Sequence, residues 1–193
     1  MRYGSYRRRS QIAVPILIGA NVLLFIATTA DPDLIFSLGL QPSSLEERPW
    51  TMLTSLFVHG GLGHIIANMF TFYFFGSYLA GLVGQRGFLV VYFLGGMMGN
   101  MLFILLAPPD SIGIGASGAV FAVGTGLAVL RPKLSVIVFP IPVPIPLWIA
   151  LAGGFLIVSF FPNVAWQAHL GGVLFGLAGG FYFRNAPSRP LRR

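Results

Sequence analysis

The chain has no cysteine, only five acidic residues, only three histidines, and a charged fraction of 9% among 193 residues. Without cysteine there are no disulfides, thiol nucleophiles or thiolate metal sites, although the redox compartment is left open. So few charges cannot solvate the surface of an ordinary soluble domain, and 55% of the residues are hydrophobic. The chain is therefore read as an all-α, polytopic membrane protein. A crossing helix needs about 20 apolar residues, so the length allows roughly six or seven crossings with little left for an extramembrane domain. The lipid bilayer is then its first partner. The formal charge of +7 does not imply a nucleic-acid partner, because the charges are distributed as a topology signal.

Apolar spans read 11–30, 60–83, 87–107, 112–130, 146–161 and 164–183, each ended by charge or by proline. Arg2, Arg7, Arg8 and Arg9 precede the first span. Arg86 separates the second from the third, Arg131 and Lys133 follow the fourth, and Arg184, Arg189, Arg192 and Arg193 follow the sixth. All five acids, Asp31, Asp33, Glu46, Glu47 and Asp110, fall in the opposite loops, joined there only by Arg48. Basic residues resist translocation, so both termini are expected in the cytoplasm. The expected organisation is a basic cytoplasmic N-terminus (1–10), a six-helix membrane domain (11–183) and a basic cytoplasmic tail (184–193).

Three segments need separate treatment. The first span could pass for a signal peptide, but its apolar run is longer than a usual signal core and is read as a retained helix. Residues 31–58 form a long external loop whose Leu34, Ile35, Phe36 and Trp50 suit the membrane interface. Residues 134–146 carry Pro140, Pro142, Pro144 and Pro146, which would break a helix crossing lipid, so this stretch reads as a cytoplasmic loop. Trp50, Trp148 and Trp166 read most simply as interfacial anchors.

The candidate chemistry lies in Gly115-Ala116-Ser117-Gly118 and Ala168-His169-Leu170-Gly171-Gly172. Ser117 and His169 enter on helices that run inward from the external side, each on the order of 10 Å below that surface. His64 and Asn68, one helical turn apart on the second span, lie at a similar depth. Four polar side chains from three helices thus share one layer of hydrocarbon, where polar groups are costly. A serine hydroxyl becomes nucleophilic when a base takes its proton, and a neutral imidazole can do so. Asn68, His64 and the Ser117 amide can face a developing oxyanion. Gly115 and Gly118 permit a tight turn and close approach.

No carboxylate lies inside a span, so the unit is a dyad, and paired aspartates are excluded. His59 and His64 lack the spacing and the intervening glutamate of a His-Glu-x-x-His zinc site, so neither a metal nor a cofactor is expected. Gly118, Ala122 and Gly126, and likewise Gly172, Gly176 and Gly180, recur every four residues, giving the fourth and sixth helices small-residue faces that can pack together. Taken singly, Ser117 reads as a helix serine bonded to its own backbone, Asn68 as a helix bridge, and His59 as a loop anchor. Their coincidence at one level favours chemistry.

These motifs resemble the rhomboid intramembrane serine proteases. The matching runs are His59-Gly-Gly-Leu-Gly-His64-Ile-Ile-Ala-Asn68, Gly115-Ala-Ser117-Gly-Ala-Val-Phe-Ala and Ala168-His169-Leu-Gly-Gly172, in the family's order. The resemblance covers about residues 10–185. It implies a six-helix core with Ser117 as nucleophile and His169 as general base. His64 and Asn68 would be oxyanion-side donors, and Gly115 would shape the loop before the serine, with His59, Phe121, Gly118 and Gly172 in supporting places. It further implies that the fifth helix and the loop around Phe161–Ala165 move to admit substrate, and that the substrates are single-span transmembrane proteins cut near the extracytoplasmic face.

The chain departs from the family at Trp50-Thr51, where a Trp-Arg pair is common, at Phe121 where many members have tyrosine, and at Ala80 where a glutamate often stands. None of these removes a catalytic group. A short, compact chain fits a prokaryotic plasma membrane best. Two other readings compete: a non-catalytic relative that binds client transmembrane helices, and a small transporter using the polar layer. A transporter expects polar positions through the inner leaflet too, and those helix halves are almost wholly apolar.

Overall fold

The computed structural model describes residues 12–138, 140–162 and 164–186. The basic N-terminus expected at 1–10 and most of the tail expected at 184–193 lie outside the described residues. Helix α1 (Ala13–Ala30) ends at Asp31, and a short α2 (Asp33–Leu38) follows Pro32. After a 3-10 turn at Pro42–Ser44 come α3 (Thr51–Thr54) and a second 3-10 turn at Ser55–Phe57.

The segment expected as an external loop is thus a chain of short helices tied by side chains. Trp50 donates its indole N–H to the Ser37 carbonyl at 3.0 Å, and Thr54 Oγ1 donates to Leu38 O at 2.7 Å. The Arg48 guanidinium donates to Phe36 O and to Gln41 Oε1. Trp50 therefore closes this segment as well as leaving half its ring exposed.

Helix α4 (Leu62–Leu106) runs 45 residues, about 68 Å if straight and more than twice a hydrocarbon core. It is not straight. The rings of Phe72 and Tyr92, which would lie about 30 Å apart on one helix, have centroids 4.9 Å apart. The reversal occurs at Gly84, whose φ of +78° favours glycine. The second and third expected spans are the two arms of α4, and they turn two residues before the expected marker, Arg86.

Helix α5 (Ser117–Leu130), a two-residue hairpin β1 (Ser135–Val136) and β2 (Ile145–Pro146), α6 (Leu147–Ser159) and α7 (Trp166–Asn185) complete the fold. Two sequence expectations need correction here. The fourth span begins at Ser117 rather than 112, because residues before it are extended. Leu40 and Gly113 exchange backbone hydrogen bonds of 2.9 and 2.7 Å, which a helical Gly113 could not make. The proline-rich stretch is not wholly a loop, since its ends pair antiparallel and bring Leu147 N onto Leu134 O at 2.8 Å.

The packing is apolar both inside and outside, unlike that of a soluble protein. Helix α5 is the axis, buried almost throughout between α4 and α7. Phe72, Phe88, Tyr92 and Val14 fill the space between α1 and the two arms of α4. The outward faces carry exposed Ile16, Leu23, Phe70, Leu105, Leu156 and Phe181. An apolar exterior of this extent belongs in hydrocarbon. Helix α6 stands apart: only Leu147 is buried, and a Cβ added at Gly153 or Gly154 would meet nothing within 4 Å.

Candidate active site

Ser117 is the first residue of α5 and His169 lies in the first turn of α7. His169 Nε2 and Ser117 Oγ are 2.7 Å apart, a hydrogen bond between residues that glycine packing brings together. A Cβ added at Gly172 would overlap the Gly118 carbonyl, and one at Gly118 would sit 3.0 Å from Ala168 O. One face further down, a Cβ at Gly180 would come 2.7 Å from Val129 Cβ and one at Gly126 would come 3.5 Å from Gly176 O. The backbones of α5 and α7 thus approach more closely than any side chain permits, and a short serine reaches an imidazole across the gap.

The imidazole is held by shape. Phe121, one turn after Ser117, places its ring 4.8 Å from that of His169 at an interplanar angle of 35°, and His169 is 6% exposed. His169 Nδ1 has no hydrogen-bond partner among the described residues, so no carboxylate there orients it.

On the other side of the serine lies α4. A Cβ added at Gly115 would fall 2.8 Å from His64 Cε1 and Nε2, and 3.7 Å from Ser117 Oγ. Gly115, at φ +118°, therefore keeps open the space between Ser117 and His64. Asn68 donates one amide proton to the His64 carbonyl at 2.9 Å, which leaves its second for another acceptor. First-turn amides of α5 add backbone donors beside Ser117.

His59 makes no hydrogen bond to Ser117. It is buried at 1% exposure, with Nδ1 3.3 Å from Phe57 O and its ring centroid 5.0 Å from that of His64. Burial, then the neighbouring His64, push its pKa down to about 4, against the pull of the Phe57 carbonyl. The unfolded chain takes up this proton near pH 6.5, so the contribution is complete above that pH and is lost as pH falls toward 4. Thermal unfolding of wild type against His59→Phe should show wild type losing up to about 3 kcal/mol more between pH 7 and pH 4. Parallel curves would refute this.

Two features escaped the sequence reading. Asn100, on the second arm of α4, is 6% exposed and donates to Met52 O and Ser55 Oγ, both at 2.8 Å. Ser55 in turn accepts the Gly115 N–H on its carbonyl at 2.9 Å. A polar chain thus ties the third expected span to the loop before Ser117. Asn100→Ala leaves buried acceptors unpaired and should cost about 1–3 kcal/mol, read as a lowered unfolding temperature.

The second feature is a third glycine face, on that same arm. A Cβ at Gly99 would lie 2.5 Å from Ala168 O, and one at Gly171 would lie 2.6 Å from Gly99 Cα. The Gly95-Gly96 and Gly99-Asn100 spacing carried that signal.

Comparison with known proteins agrees in kind. The Rhomboid domain profile matches residues 46–186. The chain is 31% identical over 134 residues to the putative rhomboid protease YdcA of Bacillus subtilis (strain 168), covering 68% of this chain and 64% of that protein. It is 33% identical over 140 residues to Rhomboid-like protease 3 of Toxoplasma gondii, covering 70% and 52%. It is 35% identical over 147 residues to RHOMBOID-like protein 12, mitochondrial, of Arabidopsis thaliana, covering 65% and 44%. The matched part thus spans between under one half and just under two thirds of these relatives' lengths. With an apolar exterior, glycine-faced helices and a profile match across most of its length, the chain belongs to the rhomboid family of integral membrane proteins.

Proposed function

We propose that the chain is an intramembrane serine endopeptidase with Ser117 as nucleophile and His169 as general base, acting on single-span transmembrane proteins. The observation that carries this reading is the 2.7 Å contact of Ser117 Oγ with His169 Nε2, inside a bundle that exposes hydrocarbon outward. His169 Nε2 takes the hydroxyl proton as Oγ attacks the scissile carbonyl. Negative charge then develops on the carbonyl oxygen between the His64 ring, the free Asn68 N–H and the Ser117 amide. The protonated His169 gives its proton to the leaving amine, and water hydrolyses the acyl-enzyme by the same route in reverse.

Six crossings make up the bundle: α1, the two arms of α4, α5, α6 and α7. Both termini lie in the cytoplasm and the dyad faces the external side, following the placement of acids and bases. The peptide bond to be cut must leave its helix first, so preferred substrates carry small or helix-breaking residues near that face. No metal or cofactor takes part.

The test is reconstitution with a panel of tagged single-span proteins, together with labelling by a fluorophosphonate, which reacts with activated serine. Wild type is expected to cut at one bond and to label, and Ser117→Ala to do neither. A wild type that binds these helices without labelling or cutting would be a client-binding relative instead.

A further inference from the structure

A groove of about 510 Å³ lies between α5, α6 and α7, starting beside His169 at Leu170 and reaching Pro132 beyond the end of α5. Leu170, Val173 and Leu177 of α7 form one wall, Ala128 and Pro132 belong to another, and Trp148 and Ala152 face them from α6. Apart from Thr125 and the Trp148 indole, every lining side chain is hydrocarbon. Water would lack the two to four polar partners it needs there. The space opens to the outside of the bundle, where Trp148, Leu156 and Leu177 of its lining are exposed. An apolar groove of this shape suits hydrocarbon from outside the chain.

The rim identifies the hydrocarbon. Pro132 stands between Arg131 and Lys133, both exposed, and Arg184 lies two turns beyond Leu177 on the same face of α7. The five acids fall in the opposite loops. Three cations at one end suit a phosphate and repel the basic residues that flank the cytoplasmic end of a crossing helix. Trp148, 57% exposed, suits the headgroup level.

We infer that this groove is a binding site for one anionic glycerophospholipid, with an acyl chain between α6 and the α5/α7 pair and its phosphate at Arg131, Lys133 and Arg184. The inference rests on the membrane placement of the bundle and not on proteolysis, so it can be tested in a Ser117→Ala background. Native mass spectrometry of the full chain would compare phosphatidylglycerol with phosphatidylcholine of the same acyl chains. About tenfold greater retention of phosphatidylglycerol is expected. Ala152→Trp, which fills the groove, and the combined Arg131→Gln, Lys133→Gln and Arg184→Gln variant, whose sites are exposed, should each lower it about tenfold. Equal retention of the two lipids, or unchanged retention in the glutamine variant, would overturn the assignment. So would an Ala152→Trp protein that loses bound substrate-helix peptide yet keeps phosphatidylglycerol, since the groove would then hold a helix.

Discussion

Ser117→Ala and His169→Ala, singly or together, are expected to lower kcat by about the same factor, on the order of 10⁴ or more. On the proposed mechanism the two groups act as one unit across their 2.7 Å hydrogen bond. Once the hydroxyl is gone the imidazole has no proton to take, and without the imidazole the hydroxyl remains a poor nucleophile. The second substitution therefore adds little to the first. Initial rates on a reconstituted single-span substrate measure the cycle, and thermal unfolding of each variant checks that the bundle persists. Singles whose effects multiply in the double variant would mean that the two groups serve separate steps, and the dyad would be abandoned. An active Ser117→Ala protein would remove the assigned nucleophile altogether.

Gly172→Val should be nearly as damaging, for a different reason. A Cβ at position 172 overlaps the Gly118 carbonyl, carbon and Cα, which are backbone and cannot rotate away. Overpacking a core with a flexible neighbour costs about 1–3 kcal/mol. Here α5 and α7 must separate, which takes His169 from Ser117. The expected result is a strongly lowered unfolding temperature and at least a tenfold loss of fluorophosphonate labelling. Gly153→Val is the matched control, because a Cβ there meets nothing within 4 Å. Equal behaviour of the two variants would show that close approach along the glycine face is not what joins the dyad.

The sequence located the helices well because hydropathy is a local property. The limits of α1, α6 and α7 fall within a few residues of the expected spans. The expected start of α5 at 112 differs from the observed one because residues 112–116 look helical until Gly113 is paired with Leu40, which is far away in the chain. The glycine faces of α5 and α7 were readable from their four-residue period. That of α4 shows itself in the fold, where Gly99 packs against Ala168, immediately before the histidine. Asn100 looked like one amide in an apolar helix, and only the short helices at 51–57, folded across it, reveal what it holds.

By itself the sequence determined that this chain lives in hydrocarbon, since its scarcity of charge and its runs of apolar residues need no knowledge of neighbours. It also supplied the short inventory of polar side chains from which any chemistry must be drawn. Tertiary structure alone decided that Ser117 and His169 touch, that Gly115 leaves His64 room beside them, and that Asn100 secures the loop between. Those are distances between residues remote in the chain, set by how closely glycine lets three helix backbones approach.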